Sequence, residues 1–369
     1  MKNKLSHDEA VNEVYRLTPQ IRDYDEFMYL GVRWLPYTMF FHQTNFKSKA
    51  INTDSLGFRY TKYKDGYIST DSIPPGVPIN IIIGGSTTLG TGATADEHTI
   101  ASGLSKITGE PWINFGGRGY NSTQEVILFL MHQHRINEIN NVVVFSGMNT
   151  LTLEGIPDEL ATEHGRYYYS YEYQHYMEKY NDDLKSRKNS YASEMDNRSA
   201  NPIKKLYNKF LNIADNHNPA DVIITDNATD TAQRMSRTAD VISQTLNQWK
   251  SLLVPYNAKL SFFLQPMSYW SKNQFTAEEE EVFRAIDQCP NNFWRLFSRI
   301  LAKENHPILV DALSRKLTKI GVDFLDMNTL MTNSPLINES IYVDRVHFND
   351  AGYFEMARLI NQHIGDAHE

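Results

Sequence analysis

Asp344 and His347 stand three residues apart in "IYVDRVHFNDAGY" (341–353), a spacing that places a carboxylate beside an imidazole on one turn. Such a pair has three uses: a surface ion pair, two ligands of a metal, or the orienting acid and base of a nucleophile. No further His, Cys and Asp cluster at ligand spacing completes a metal site in the sequence, so no metal is expected. The third use needs a hydroxyl or thiol, and a free serine hydroxyl is a poor nucleophile without such a base.

Ser86 lies far upstream in "INIIIGGSTTLGTG" (79–92), an apolar strand that runs into glycines, a serine and two threonines. This loop supports three readings. A phosphate-binding P-loop requires Lys and Ser/Thr after its second glycine, but after Gly85 and Gly90 the sequence has Thr91 and Gly92, so the essential cation is missing. The dinucleotide fingerprint occurs as Gly90, Gly92 and Ala95, yet it starts well beyond the strand end, where its tight turn has to sit. The third reading puts Ser86 at the strand's carboxyl end and the start of a helix, where unsatisfied N–H groups favour developing negative charge. Its plain alternative is a serine that only caps the helix.

The elements that would position these residues follow from periodicity. "INIII", "PWINF", "NNVVVFS", "KLSFFLQP" (259–266) and "VDFLDM" (322–327) read as continuous apolar strands. Helical patterns near 98–108, 122–136, 236–253, 277–302, 306–319 and 350–364 separate or follow them. Buried strands alternating with helices predict a three-layer α/β/α sandwich around a five-stranded parallel, flavodoxin-like sheet. In such a sheet every loop leaving a strand's carboxyl end opens onto one crevice. "GGST", "NFGGRGYNS" (114–122), "SGMNT" (146–150) and the Asp344–His347 segment therefore converge on one edge.

Residues 1–70 form an aromatic-rich lead-in expected to pack on this core, with "NTDSLGFRY" as a turn between short strands. Residues 71–369 form the main domain, interrupted at 151–235 by a polar, tyrosine-rich insertion expected to be partly helical and to cap the core. Its tyrosines, densest at 167–180, suit either a sugar or acyl site or the joint between cap and core. The single cysteine, Cys289, excludes an internal disulfide framework and reads as structural. A formal charge of −8, with no basic stripe, argues against nucleic acid as a partner. The N-terminus lacks the apolar core of a secretory signal, and "FMYLGVRWLPYTMFF" is too short and too broken to span a bilayer, so a cytoplasmic protein without a membrane span is expected. Oligomeric state has no signal here.

Together, "GGSTTLG", "NFGGRGYNS", "SGMN" and "DRVHFNDAGY" resemble, in order and at the expected strand ends, the four signature blocks of the SGNH or GDSL-type hydrolase superfamily. "NTDSLGFR" (52–59) is similar to a lead-in common among its bacterial members. The resemblance covers 79–150 and 236–364 and departs at two places: GGST stands for GDS, and Thr150 follows Asn149 where many members carry Asp. It implies a cofactor-free esterase or deacetylase acting on a small or carbohydrate-linked acyl ester. Ser86 would be the nucleophile, His347 the base and Asp344 its orienting acid. The backbone N–H groups of Ser86 and Gly119 and the amide of Asn149 would form the oxyanion hole. Arg118, beside Gly119, and Gln265, at the end of "FFLQP", are candidate substrate contacts; their plain alternatives are a surface salt bridge and a backbone cap. An acyltransferase on the same residues, or a non-catalytic glycan-binding protein of the same fold, are the competing functions.

Overall fold

The structure is a computed structural model and describes residues 6–30, 33–35, 39–155, 230–289 and 297–365. The chain opens with helices α1 (His7–Leu17) and α2 (Ile21–Leu30) and two antiparallel ribbons. These are β1 (Arg33–Leu35) with β2 (Met39–Phe41), and β3 (Thr61–Tyr63) with β4 (Gly66–Ile68). Five parallel strands follow: β5 (Ile79–Gly84), β6 (Trp112–Gly116), β7 (Ile139–Ser146), β8 (Lys259–Leu264) and β9 (Asp323–Asp326). Their spatial order is β6-β5-β7-β8-β9, the 2-1-3-4-5 order of a flavodoxin-like sheet. The expected sandwich is therefore the observed one.

Why apolar runs rather than alternating ones make these strands is visible in the burial. Ile81, Ile83, Val142, Val144, Phe262 and Leu264 face one core, shared with α5 (Ser122–His132) and the helices Thr231–Leu253 and Asn305–Ile320. Ile82, Val143, Phe145 and Phe263 face the other, shared with α4 (Ile100–Thr108) and the helices Ala277–Ile286 and Asp350–Gly365. Successive side chains point to opposite faces, so a sheet covered on both sides needs every position apolar. Among the described residues no helix is long and apolar enough to cross a membrane.

Several boundaries differ from the periodicity for local reasons. The helix expected from 236 starts at Thr231, because the Asp230 side chain accepts from the Gln233 N–H and caps it. The helix expected to reach 136 ends at His132 and tightens into a 3₁₀ turn over 133–135. Within 277–302 the first helix stops at Ile286 and passes directly into a turn over 287–288, ahead of Pro290 in the sequence. Both margins of the insertion expected at 151–235 belong to core elements, since residues 151–153 complete α6 (Met148–Leu153) and 231–235 open the long helix. The rest of that insertion, with its tyrosine cluster at 167–180, lies outside the described residues.

The lead-in is tied into the first crossover. Asp54 Oδ1 accepts from the N–H groups of Leu56 and Phe58 at 2.9 and 2.8 Å and closes the "NTDSLGFR" turn. The turn delivers Arg59, fully buried, whose guanidinium reaches Asp96, Tyr24 Oη and the carbonyls of Leu89, Gly90 and Ala50. Five contacts on one planar fork use the geometry for which Arg differs from Lys. They fasten the lead-in to the end of α3 (Ser86–Leu89), the single turn that begins with the candidate nucleophile.

Candidate active site

Gly85, not Ser86, occupies the N-cap of α3, and no side chain caps that turn. The capping alternative for Ser86 is thus not the observed arrangement. Ser86 Oγ lies 2.7 Å from His347 Nε2, and His347 Nδ1 lies 2.6 Å from Asp344 Oδ2. The other carboxylate oxygen, Oδ1, accepts from the N–H groups of Val346 and His347, both at 2.8 Å. Burial by itself would raise the Asp344 pKa; the charge and hydrogen bond of His347 and the two backbone N–H groups outweigh it and hold the carboxyl below its ordinary range. An ionised carboxylate only accepts, so Nδ1 carries a proton, and in the neutral form of the ring the lone pair on Nε2 faces the serine hydroxyl.

The loop carrying Asp344 and His347 is fastened at several points. Glu279 Oε1 accepts from the N–H groups of Ile341 and Tyr342 at 3.1 and 3.2 Å. That carboxylate is paired with Lys272, and both side chains are inaccessible to solvent. Thr87 Oγ1 donates to the Val346 carbonyl at 3.2 Å and accepts from Gln265 Nε2 at 2.6 Å. The residue after the serine is thereby linked directly to the residue before the histidine.

On the other side of Ser86, the segment Gly117–Tyr120 forms a turn closed by Tyr120 N–H donating to the Gly117 carbonyl at 3.1 Å. Gly119 sits at φ +67°, the left-handed conformation that the third position of a type II turn requires and that glycine adopts without strain. The Asn149 amide donates to the Tyr120 carbonyl at 2.8 Å, which leaves its second proton for another acceptor. Asn149 packs directly over Gly85, where an added Cβ would come within 2.5 Å of Nδ2. The departure from GDS to GGST thus has a steric account in this chain. Thr150 has one as well: its hydroxyl accepts from the Ser122 N–H at 3.1 Å and joins the starts of α5 and α6.

Ser86, Gly119, Asn149, Asp344, His347, Arg118 and Gln265 all border one cavity of about 290 Å³. Gln265 is buried at the cavity wall, and its Nε2 donates to Thr87 Oγ1, which ties it to the turn that carries Ser86. Arg118 remains at the cavity wall near Asp25, whose carboxyl pKa is raised by burial in spite of the Tyr15 hydrogen bond and the nearby Arg118 charge, which both pull it down. The sequence reading missed the opposite wall, which is α2: Ile21, Tyr24, Asp25 and Met28 all face the site. It also missed Arg345, whose guanidinium pairs with Asp287 and lies 5.3 Å from the Phe283 ring centroid. The signal for α2 was its apolar spacing, but nothing in a spacing says which cavity a helix covers. A larger open groove of about 680 Å³, beside Lys62, Lys106 and Phe354, contains none of the site residues.

No family profile and no curated protein matches this chain. Solved structures similar to it include a GDSL-like lipase from Bacteroides thetaiotaomicron, at 13% identity and TM-score 0.40, covering 81% of this chain and 94% of that one. A lipase/acylhydrolase from Enterococcus faecalis has 13% identity and TM-score 0.37 over 78% and 95% of the two chains. The acetyl xylan esterase AlAXEase has 12% identity and TM-score 0.38 over 78% and 99%. Likeness this remote carries no residue's role from one chain to another.

Proposed function

We propose that this chain is a divergent SGNH-type serine hydrolase that cleaves an ester through an acyl-enzyme on Ser86. The observation that carries the proposal is the unbroken hydrogen-bonded line from Asp344 through His347 to Ser86. In the first step Ser86 Oγ bonds to the ester carbonyl carbon while its proton passes to His347 Nε2. The carbonyl π pair moves onto oxygen, where the N–H groups of Ser86 and Gly119 and the Asn149 amide receive it. Collapse breaks the bond to the alkoxy group, which leaves with the proton from His347. Water then repeats the sequence on the acyl-enzyme and frees Ser86.

Asp344 supports both halves by stabilising the transient imidazolium and fixing its tautomer. The cavity is small, and Ile21, Met28, Met148 and Ile286 give it an apolar side. A short acyl group such as acetyl suits that lining, and Arg118 at the cavity wall is the polar group offered to the alcohol portion, a carbohydrate included.

The test is a panel of activated esters of rising acyl length, run on the parent protein and on Ser86→Ala. Turnover by the parent that is lost in Ser86→Ala, together with fluorophosphonate labelling at Ser86 that disappears in His347→Ala, is the expected result. Equal turnover by Ser86→Ala, or labelling at another residue, would refute the assignment. Partitioning of product toward added alcohols or sugars instead of water would make the same site an acyltransferase.

A further inference from the structure

We infer that His42, in the lead-in rather than in the sheet, is a positioning residue of the oxyanion hole: its ring holds the Arg118 peptide and so leaves the Gly119 N–H facing the cavity. The inference rests on the reading proposed above, and it concerns a residue that contributes nothing to the four signature blocks.

The ring of His42 has both nitrogens engaged, each by a backbone group of fixed polarity. Nδ1 lies 3.2 Å from the Gly57 carbonyl, which can only accept. Nε2 lies 3.1 Å from the Arg118 nitrogen, which can only donate. One tautomer alone satisfies both: Nδ1 protonated, Nε2 bare. An imidazolium would set an N–H against the Arg118 N–H. The surroundings agree, since burial first, and then the nearby guanidinium charges, drive the ring's pKa down to about 3 against the opposing Gly57 hydrogen bond. The ring is 2% exposed, stacked on Phe41 at 4.4 Å between centroids and tilted against Phe27 at 5.2 Å. Its own carbonyl accepts from Arg33 Nε at 2.8 Å. His42 is thus held on every side before it meets the sheet.

What it holds is the turn that presents Gly119. Gly117 N–H donates to the Gly84 carbonyl at 2.9 Å, Arg118 N–H to His42, and Tyr120 N–H to the Gly117 carbonyl. Tyr120 Oη also reaches the Phe40 carbonyl at 2.5 Å, a second tie to the lead-in. Gly119 N–H is the member of this series with no protein acceptor among the described residues, and Gly119 borders the cavity with Ser86 and Asn149. The central peptide of such a turn can flip, because type I and type II turns differ in its orientation, and a flip would aim a carbonyl rather than an N–H at the oxyanion. The Arg118 anchor resists that flip from the residue immediately before it.

Two variants separate the anchor from bulk packing. His42→Phe keeps an aromatic ring against Phe27 and Phe41 but offers no acceptor; His42→Gln offers a side-chain oxygen near the place of Nε2. Expected for His42→Phe are faster amide hydrogen exchange at Arg118 and Gly119 and a loss approaching the ~10²-fold in kcat of a missing oxyanion donor, with KM little changed. His42→Gln should recover much of both. In the parent, ring ¹⁵N shifts should report a protonated Nδ1 and an unprotonated Nε2, a measurement that needs no variant to fold. A protonated Nε2, exchange at 118–119 unchanged in His42→Phe, or kcat equal to the parent would each overturn the inference. If the parent turned over no ester and took no serine probe, the hydrolase reading would fall, while the exchange and ¹⁵N results would still decide whether His42 anchors the turn.

Discussion

Glu125 offers a stability prediction whose sign and size both follow from its surroundings. It sits on α5, fully buried, with Ser146 Oγ donating to Oε1 at 2.5 Å and no partner for Oε2. Burial pushes its carboxyl pKa up to about 8, against the opposing effect of the serine hydrogen bond. In the unfolded chain the same group titrates near its ordinary value of 4.5. Between those values the folded state holds a proton that the unfolded state has released, so stability is fully present below the unfolded value and is lost as pH rises toward the folded one. The slope is about 1.4 kcal/mol for each pH unit, and from about pH 5.5 to about pH 7.5 the parent should lose roughly 2–3 kcal/mol through this group. Glu125→Gln removes the titration while keeping the shape. Denaturant melts of both proteins across that range should diverge, the Gln variant gaining on the parent with each step up in pH. The comparison is of slopes, so any fixed cost of a buried amide cancels. Parallel curves would show that Glu125 is ionised in the folded protein and that the burial argument is wrong.

Two further outcomes follow from the geometry. Asn149→Ala removes one oxyanion donor and the tie to the Tyr120 carbonyl, so kcat on an activated ester should fall by about 10²–10³ while KM changes little; a rise in KM alone would place Asn149 in substrate binding instead. Lys272→Met leaves Glu279 buried beside the Asp344–His347 loop without its cation, and thermal melts should show a loss of about 3–5 kcal/mol; a loss under about 1 kcal/mol would refute the pair's part in holding that loop.

How far the sequence reached can be judged residue by residue. The five strands were legible because a sheet covered on both faces makes each strand continuously apolar, and the glycines and polar residues after β5, β6 and β7 marked where each strand stops. Parallel order then forced those ends to one edge, so Ser86, Gly119, Asn149, Asp344 and His347 could be grouped before any distance was known. Local chemistry that spans only a few residues, such as the Asp344 carboxylate capping the turn that carries His347, was implicit in their spacing.

Contacts between segments far apart in the chain, made through single hydrogen bonds, were beyond reach. "NTDSLGFR" stood out, but that its arginine buries itself behind the end of α3 depends on how the lead-in wraps the sheet. Gln265 looked like a substrate contact because it leaves a strand end, and only its 2.6 Å approach to Thr87 shows where its amide is engaged. Tyr24 and Met28 stand four apart on one face of α2, and such spacing says that a face is buried without saying against what. His42 carried no signal, since a buried histidine is defined by the two backbone groups its ring meets, one at Gly57 and one at Arg118. By itself the sequence determined the strands, their parallel sheet and the edge where the chemistry gathers, because those follow from periodicity and chain direction. The tertiary structure alone decided which proton faces which lone pair, because that depends on distances of a few tenths of an ångström between segments brought together only when the cores close.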